Sequence, residues 1–160
     1  MQSDQSTIFY RAMLPDDETD VDALVQSVVD EFFAPGDSNE GVAAFKKLVA
    51  AGSFTERFKT GNLVLLAISE NKIIGMLEMS DYRHITLLFV EKAFQQKGIA
   101  QELCRRSVEL CRKLNPELKA ITVNASPNAL GAYQTIGFTP TEDEKETNGM
   151  RFTPMALKFE

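Results

Sequence analysis

The sequence predicts an α/β fold built on one mixed sheet, and three features carry that prediction. Three apolar runs, Asn62 to Ser69, Lys72 to Ser80 and His84 to Val90, are separated by short turns at Glu70-Asn71 and Asp81-Tyr82, the pattern of an antiparallel meander. The last run leads through a short glycine-bearing loop, Gln95 to Ala100, into an amphipathic segment that continues to about Leu114. Another apolar run, Lys119 to Ala125, follows. The strand, helix and strand from His84 to Ala125 therefore form a parallel pair with a right-handed crossover, inside a sheet whose other pairs are mostly antiparallel.

The remaining elements follow in order. Ile8 to Met13 reads as a first strand. Asp17 to Phe33 reads as a helix, with acids enriched at its start and Val21, Leu24, Val25, Val28, Val29 and Phe32 on one side. Ala34-Pro35-Gly36 ends it. A second helix, Asn39 to Ala51, turns Val42, Phe45, Leu48 and Val49 inward, and Gly52 stands where a C-terminal cap would. After the Lys119 to Ala125 strand, Ser126 is expected to cap a short helix, with Pro127 at its first position and Gly137 as its C-cap. Two closing strands, Gly137-Phe138 to Pro140 and Arg151 to Phe159, flank the acidic, turn-rich loop Thr141 to Gly149. The chain has no repeat, heptad array or low-complexity tract.

At 160 residues, with 44% hydrophobic and 9% aromatic content, the chain is sized for one packed core, so a single domain over residues 1–160 is expected. Its apolar runs are too short to span a bilayer and its start lacks an unbroken apolar stretch, which predicts a cytoplasmic protein without a membrane partner. Cys104 and Cys111 are seven residues apart on the predicted helix, about 10.5 Å along its axis, beyond disulfide reach. They read as reduced, buried side chains.

The net charge of −6 argues against nucleic acid or an anionic surface as partner. Residues 1–60 hold eleven acids against five bases, whereas residues 91–113 hold six bases against three acids. The loop and helix after Val90 are thus locally basic within an acidic protein. For Arg112 and Lys113 an ordinary solvated helix face is an equally good reading.

A helix that starts in a glycine-bearing loop presents unpaired backbone N–H groups and the positive end of its dipole, so Gln95 to Ala100 suits an anionic pyrophosphate. Gly98 and the small Ala100 let the backbone approach closely. The loop lacks both the Gly-x-Gly-x-x-Gly of dinucleotide sites and the Walker A ending, which disfavours dinucleotides and nucleoside triphosphates.

The form Gln95-x-x-Gly98-x-Ala100 resembles the Gln/Arg-x-x-Gly-x-Gly/Ala signature of the GCN5-related N-acetyltransferases (GNAT). Downstream, Tyr133-Gln134-Thr135-Ile136-Gly137-Phe138 is similar to the Tyr-x-x-x-Gly-Phe ending of that family. The matching stretch runs from about Ile73 to Phe138. The resemblance implies a central mixed sheet of six to seven strands flanked by about four helices. It also implies that the two parallel strands splay apart to receive acetyl-coenzyme A (acetyl-CoA).

By the same resemblance, Gln95, Gln96, Lys97, Gly98, Ile99 and Ala100 hold the pyrophosphate, and the backbone of Leu88, Phe89 and Val90 pairs with the pantetheine arm as an added strand would. The Leu88 amide then faces the thioester oxygen and stabilises the oxyanion. Tyr133 is implied as the hydrogen-bond donor to the cofactor sulfur. A phenol of pKa about 10 facing a thiolate near 8.5 can donate with or without full proton transfer, which would be uphill by roughly 2 kcal/mol. On its residues alone, Tyr133 reads equally as a core side chain beside Leu130 and Ile136. Asn124 and Asn128 match positions where the family places polar residues near pantetheine.

An attacking ammonium of pKa about 10.4 must first lose its proton. Glu78, on the strand beside His84 to Val90, is the candidate base, and His84, the only histidine, reads as a surface residue near a turn. Other chemistries find little footing. Ser126 lacks a Gly-x-Ser-x-Gly frame, the chain has no Cys-x-x-Cys, and one histidine with two separated cysteines makes no metal site. The expected activity is acetyl transfer from acetyl-CoA to a primary amine, of a small molecule or a peptide, in a ternary complex without metal. The alternative is a non-catalytic acyl-CoA sensor of the same fold. Edge strands near the C-terminus are of the kind that pair in a homodimer.

Overall fold

A computed structural model describes residues 7–33, 36–50 and 53–159. The chain runs β1 (Ile8–Ala12), α1 (Glu18–Val28), α2 (Asn39–Leu48), α3 (Ser53–Lys59), β2 (Leu63–Ser69), β3 (Lys72–Ser80) and β4 (His84–Val90), then α4 (Ile99–Leu114), β5 (Ala120–Ala125), α5 (Leu130–Ile136), β6 (Thr139–Pro140), β7 (Lys145–Thr147) and β8 (Met150–Lys158). The sheet order is β1-β2-β3-β4-β5-β8-β6, with β7 paired to β8. β4 and β5 are parallel and the other pairs are antiparallel.

The expected mixed α/β architecture is therefore present, with eight strands and five α-helices among the described residues. The additions are short. β7 forms inside the stretch expected as a loop, where Lys145 to Thr147 find the edge of β8. α3 occupies seven residues between the second predicted helix and the meander. The expected stops at Ala34-Pro35 and Gly52 lie outside the described residues. α1 ends earlier than its periodicity suggests, and Val29–Phe32 continue as a tighter 3-10 turn.

The two meander turns have two consecutive residues at positive φ, Glu70-Asn71 at 50° and 66° and Asp81-Tyr82 at 53° and 52°. That backbone matches the twist of tightly connected antiparallel strands. The sheet buries a core on each face. On one, Val21, Leu24, Val25 and Val28 of α1 pack on Val64, Leu66, Met76, Leu87 and Phe89. On the other, Ile99, Leu103, Cys104 and Cys111 of α4 pack on Leu65, Ile74, Leu77, Ile85, Ile121 and Val123. Gly75 lies under α4, where an added Cβ would sit 3.4 Å from Ile99 and Leu103, so its missing side chain brings the helix start close to the sheet.

The passage from β1 into α1 is closed by charge. The Arg11 guanidinium donates to both oxygens of Asp17 at 2.6 and 2.9 Å, and the Leu14 N–H donates to the same carboxylate at 2.7 Å. The Arg11 hydrogen bond is the main cause that holds the Asp17 carboxyl below its ordinary 3.8, against the opposing effect of burial. A carboxyl with a lowered folded-state pKa stabilises the fold above the ordinary carboxylate range and loses that contribution as pH falls through the folded value. Asp17→Asn should therefore cost about 1–2 kcal/mol at pH 7. The gap from wild type in urea titrations should close as the pH is taken below about 4.

Candidate acyl-donor cleft

The parallel pair is joined over two residues only, His84 opposite Thr122 and Ile85 opposite Val123. Between β3 and β4 the register passes from Met79 opposite Ile85 to Glu78 opposite Leu87, which leaves Thr86 as an extra residue in β4. Such a bulge bends its strand and reverses the facing of the side chains beyond it. Ile85 accordingly packs in the α4 core, whereas Leu87 and Phe89 pack in the α1 core. Past the bulge β4 leaves β5, and a cleft of about 670 Å³ opens between them.

Thr86 to Val90 line one wall of the cleft, and Val123, Asn124, Ser126 and Asn128 with Tyr133 of α5 line the other. Gln95, Gln96, Gly98, Ile99 and Ala100 close the end beneath the start of α4. The loop is folded for this position. Gln95 turns back to donate its amide to the Val90 carbonyl at 3.0 Å, and Gln96 and Gly98 take left-handed backbone at φ 63° and 82°. The first bond of the α4 ladder runs from the Glu102 N–H to the Gly98 carbonyl at 3.0 Å. The N–H groups of Ile99, Ala100 and Gln101 thus precede the ladder and stand at the positive end of a sixteen-residue helix.

Tyr133 is 7% exposed and meets the Phe138 ring edge-on at 5.4 Å. Burial, and secondarily the neighbouring Cys104, raises its phenol well above 10. The phenol is thus protonated across the physiological range, a hydrogen-bond donor rather than an acid that releases its proton. Burial likewise pushes the Cys104 thiol up to about 12 and the Cys111 thiol up to about 11, so both stay protonated in the core. Among the described residues no cluster of metal-ligating side chains exists, and no helix is long and apolar enough to cross a membrane.

The cleft thus combines a parted parallel pair, a helix start facing the gap and a tyrosine in its wall. A family model described as an acetyltransferase (GNAT) domain matches residues 33–159. The chain belongs to the GNAT acetyltransferase family. No curated protein matches the sequence.

Solved structures share the GNAT fold over nearly the whole length. A GCN5-related N-acetyltransferase from Rhodopseudomonas palustris superposes with TM-score 0.80 at 21% identity, covering 99% of this chain and 100% of the other. The PaiA N-acetyltransferase from Thermoplasma acidophilum, solved in complex with coenzyme A, has TM-score 0.74 at 17% identity, covering 96% and 99%. The ribosomal-protein-S18-alanine N-acetyltransferase from Escherichia coli has TM-score 0.66 at 12% identity, covering 95% and 94%.

Within this GNAT chain the sequence-predicted residues fall into two groups. Leu88, Phe89, Val90, Gln95, Gln96, Gly98, Ile99, Ala100, Asn124, Asn128 and Tyr133 all line the cleft. Lys97 and Glu78 do not. Lys97 lies with its ammonium 6.0 Å from the Phe94 ring centre. Glu78 is 0% exposed, and its carboxylate accepts from Arg57 at 2.6 and 3.0 Å and from the Asn62 amide at 2.7 Å. It ties α3 and the start of β2 to β3.

Ser126 departs from its expected role. The α5 helix starts at Leu130, Ala129 is its N-cap without a side-chain bond, and the Ser126 carbonyl, rather than its hydroxyl, accepts from Ala129 and Leu130. Ser126 Oγ is buried, unpartnered among the described residues, and belongs to a residue that lines the cleft. The Ser-Pro step, which favours a turn over a cap, was the available signal. Asn128 donates its amide to the Phe33 carbonyl at 2.7 Å, drawing the segment after α1 toward the cleft.

Removal of Arg57 would leave a fully buried carboxylate without its guanidinium. Arg57→Leu should destabilise the fold by about 3–5 kcal/mol. The double change Arg57→Leu with Glu78→Leu should recover a large part of that loss, as read from the midpoint of chemical denaturation.

Proposed function

We propose that this chain transfers an acetyl group from acetyl-CoA to a primary amine by direct attack in a ternary complex. The observation that carries this reading is the cleft itself, where a bulged β4 turns an uncovered strand edge toward the start of α4 on one side and Tyr133 on the other.

In this reading the amides at Gln96 to Ala100 hold the diphosphate, for which the helix start supplies donors and field. The β4 edge from Leu88 to Val90 takes the pantetheine arm in the manner of an added strand. Asn124, Asn128 and the unpartnered Ser126 hydroxyl offer polar contacts along the opposite wall. The neutral amine attacks the thioester carbon, the Leu88 N–H stabilises the oxyanion, and the C–S bond breaks as the tetrahedral intermediate collapses. An oxyanion donor of this kind contributes roughly 3 kcal/mol.

Tyr133 donates a hydrogen bond to the departing sulfur. Its burial makes full proton transfer costlier than the roughly 2 kcal/mol expected of an ordinary phenol, so the hydrogen bond itself is the assistance. Glu78 engages three donors already and is kept from the base role that its strand position suggested. The ammonium loses its proton to solvent at the open mouth of the cleft before attack, and the proton that the nitrogen releases as the intermediate collapses leaves by the same route, so the sulfur departs as a thiolate. The buried, protonated thiols agree with work in a reducing cytoplasm.

The test is to mix protein and acetyl-CoA with a panel of amines, including polyamines and peptides with free N-termini, while following thiol release. Turnover is expected with at least one amine. Tyr133→Phe should lower kcat about tenfold or more while the affinity for coenzyme A measured by calorimetry stays within about twofold. Binding of acetyl-CoA with no turnover on any amine would make the chain a carrier or sensor, and absence of binding would remove the donor from the cleft.

A further inference from the structure

β4 and β5 meet along a very short seam. At its outer end His84 Nδ1 and Thr122 Oγ1 share a hydrogen bond of 2.8 Å, with a Thr122 N–H to Arg83 carbonyl bond of 2.9 Å beside it. Their neighbours Ile85 and Val123 point into the α4 core, so the two polar side chains stand on the opposite face. The extra residue Thr86 follows one position after the last pair. No other described pairing joins the two strands.

Both ends of this seam open on cavities. Thr86 and Val123 line the acyl-donor cleft. His84 and Thr122 line a separate cavity of about 670 Å³ between the β3–β4 turn and the loop after α4. The side-chain bond is thus unsupported by packing from that side, and the wedge between the strands has its apex at a two-residue junction.

We infer that His84 and Thr122 are positioning residues, forming a side-chain clamp that sets the angle at which β4 and β5 part and so the width of the slot for the acyl donor. The inference rests on the reading of the cleft as the acetyl-CoA site. Leu88 lies three residues beyond Ile85, about 10 Å along the strand, so a rotation of roughly 5° at the seam displaces the edge at Leu88 by about 1 Å. A displacement of that size at a reacting centre costs on the order of a hundredfold in rate. With the backbone seam this short, the one side-chain bond across it is a sizeable share of what opposes such a rotation.

The test compares isosteric loss with conservative rescue. Thr122→Val removes the hydroxyl at nearly constant shape, Thr122→Ser keeps it, His84→Leu removes the ring nitrogen, and His84→Asn places an amide near the Nδ1 position. Thr122→Val and His84→Leu should each weaken coenzyme A binding by about three- to tenfold, the range of one hydrogen bond, and lower kcat with acetyl-CoA by at least as large a factor, because the Leu88 N–H moves with the β4 edge. Thr122→Ser and His84→Asn should return to within about twofold of wild type. The double variant Thr122→Val with His84→Leu should be no weaker than the worse single one. Unchanged affinity in both loss variants, or a Thr122→Ser as weak as Thr122→Val, would overturn the clamp. Failure of the wild type to bind coenzyme A would instead overturn the reading of the cleft, so the two failures are distinguishable.

Discussion

Thr86 has no opposite residue on β3, and the cleft follows from that mismatch. With strictly paired strands, β4 would continue beside β5 to its end, Leu87 would face α4, and the gap between the parallel strands would close. The bulge does two things at once. It bends β4 away from β5, and it shifts which residues face which helix, so that Leu87 and Phe89 fill the α1 core while Leu88 is left at the cleft. Unpaired backbone at a sheet edge is a liability in most proteins. Here no described strand pairs with β4 on that side beyond Ile85, and in the proposed function the pantetheine arm is its complement.

Packing fixes the other side of the cleft. The start of α4 stands over Gly75, where the absence of a side chain permits contact with Ile99 and Leu103. Gly98 reaches its φ of 82° with no atom within 4 Å of a built Cβ, so its need for glycine lies in the backbone and not in crowding. Opposite, Phe138 holds Tyr133 edge-on, and Gly137 ends the helix that carries it at φ 122°. The Tyr133 to Phe138 stretch is thus one packed unit, and its spacing was legible in the sequence through its resemblance to the GNAT ending.

What the sequence showed and what it hid divide along physical lines. The meander was legible because its turns need backbone that Asn, Asp and a few others favour, and α4 because a sixteen-residue helix displays several turns of its buried stripe. The bulge was hidden. Ile85, Leu87, Leu88, Phe89 and Val90 are all apolar, so a reversal of facing at Thr86 leaves no break in the pattern. Glu78 was misplaced for another reason, because its partners Arg57 and Asn62 lie 21 and 16 residues away in segments whose approach is set only by the tertiary fold. Ser126 was read as a cap because serine, proline and a following apolar run are the same letters for a helix start and for a turn that precedes one.

The basic character of residues 91–113 also changes meaning once folded. Arg105 and Arg106 both donate to Glu102, whose carboxyl they hold at about 2, Arg105 first, and Arg105 also reaches Glu109. Arg106 lies over the Tyr10 ring at 4.5 Å, and Arg112 over Phe159 at 4.6 Å. These cations are spent on the helix surface and on its neighbours. Arg112 is thirteen residues from the helix start, about 20 Å along the axis, which exceeds a screening length of about 8 Å at physiological salt. In the proposed function, attraction for a diphosphate therefore falls to the backbone N–H groups before Glu102 and to the left-handed loop that aims them rather than to these arginines. Because those groups are main chain, only a proline substitution deletes one, and in that reading the loop's affinity is governed by its shape: by whether Gln96 and Gly98 keep their positive φ and whether Gln95 stays folded onto Val90.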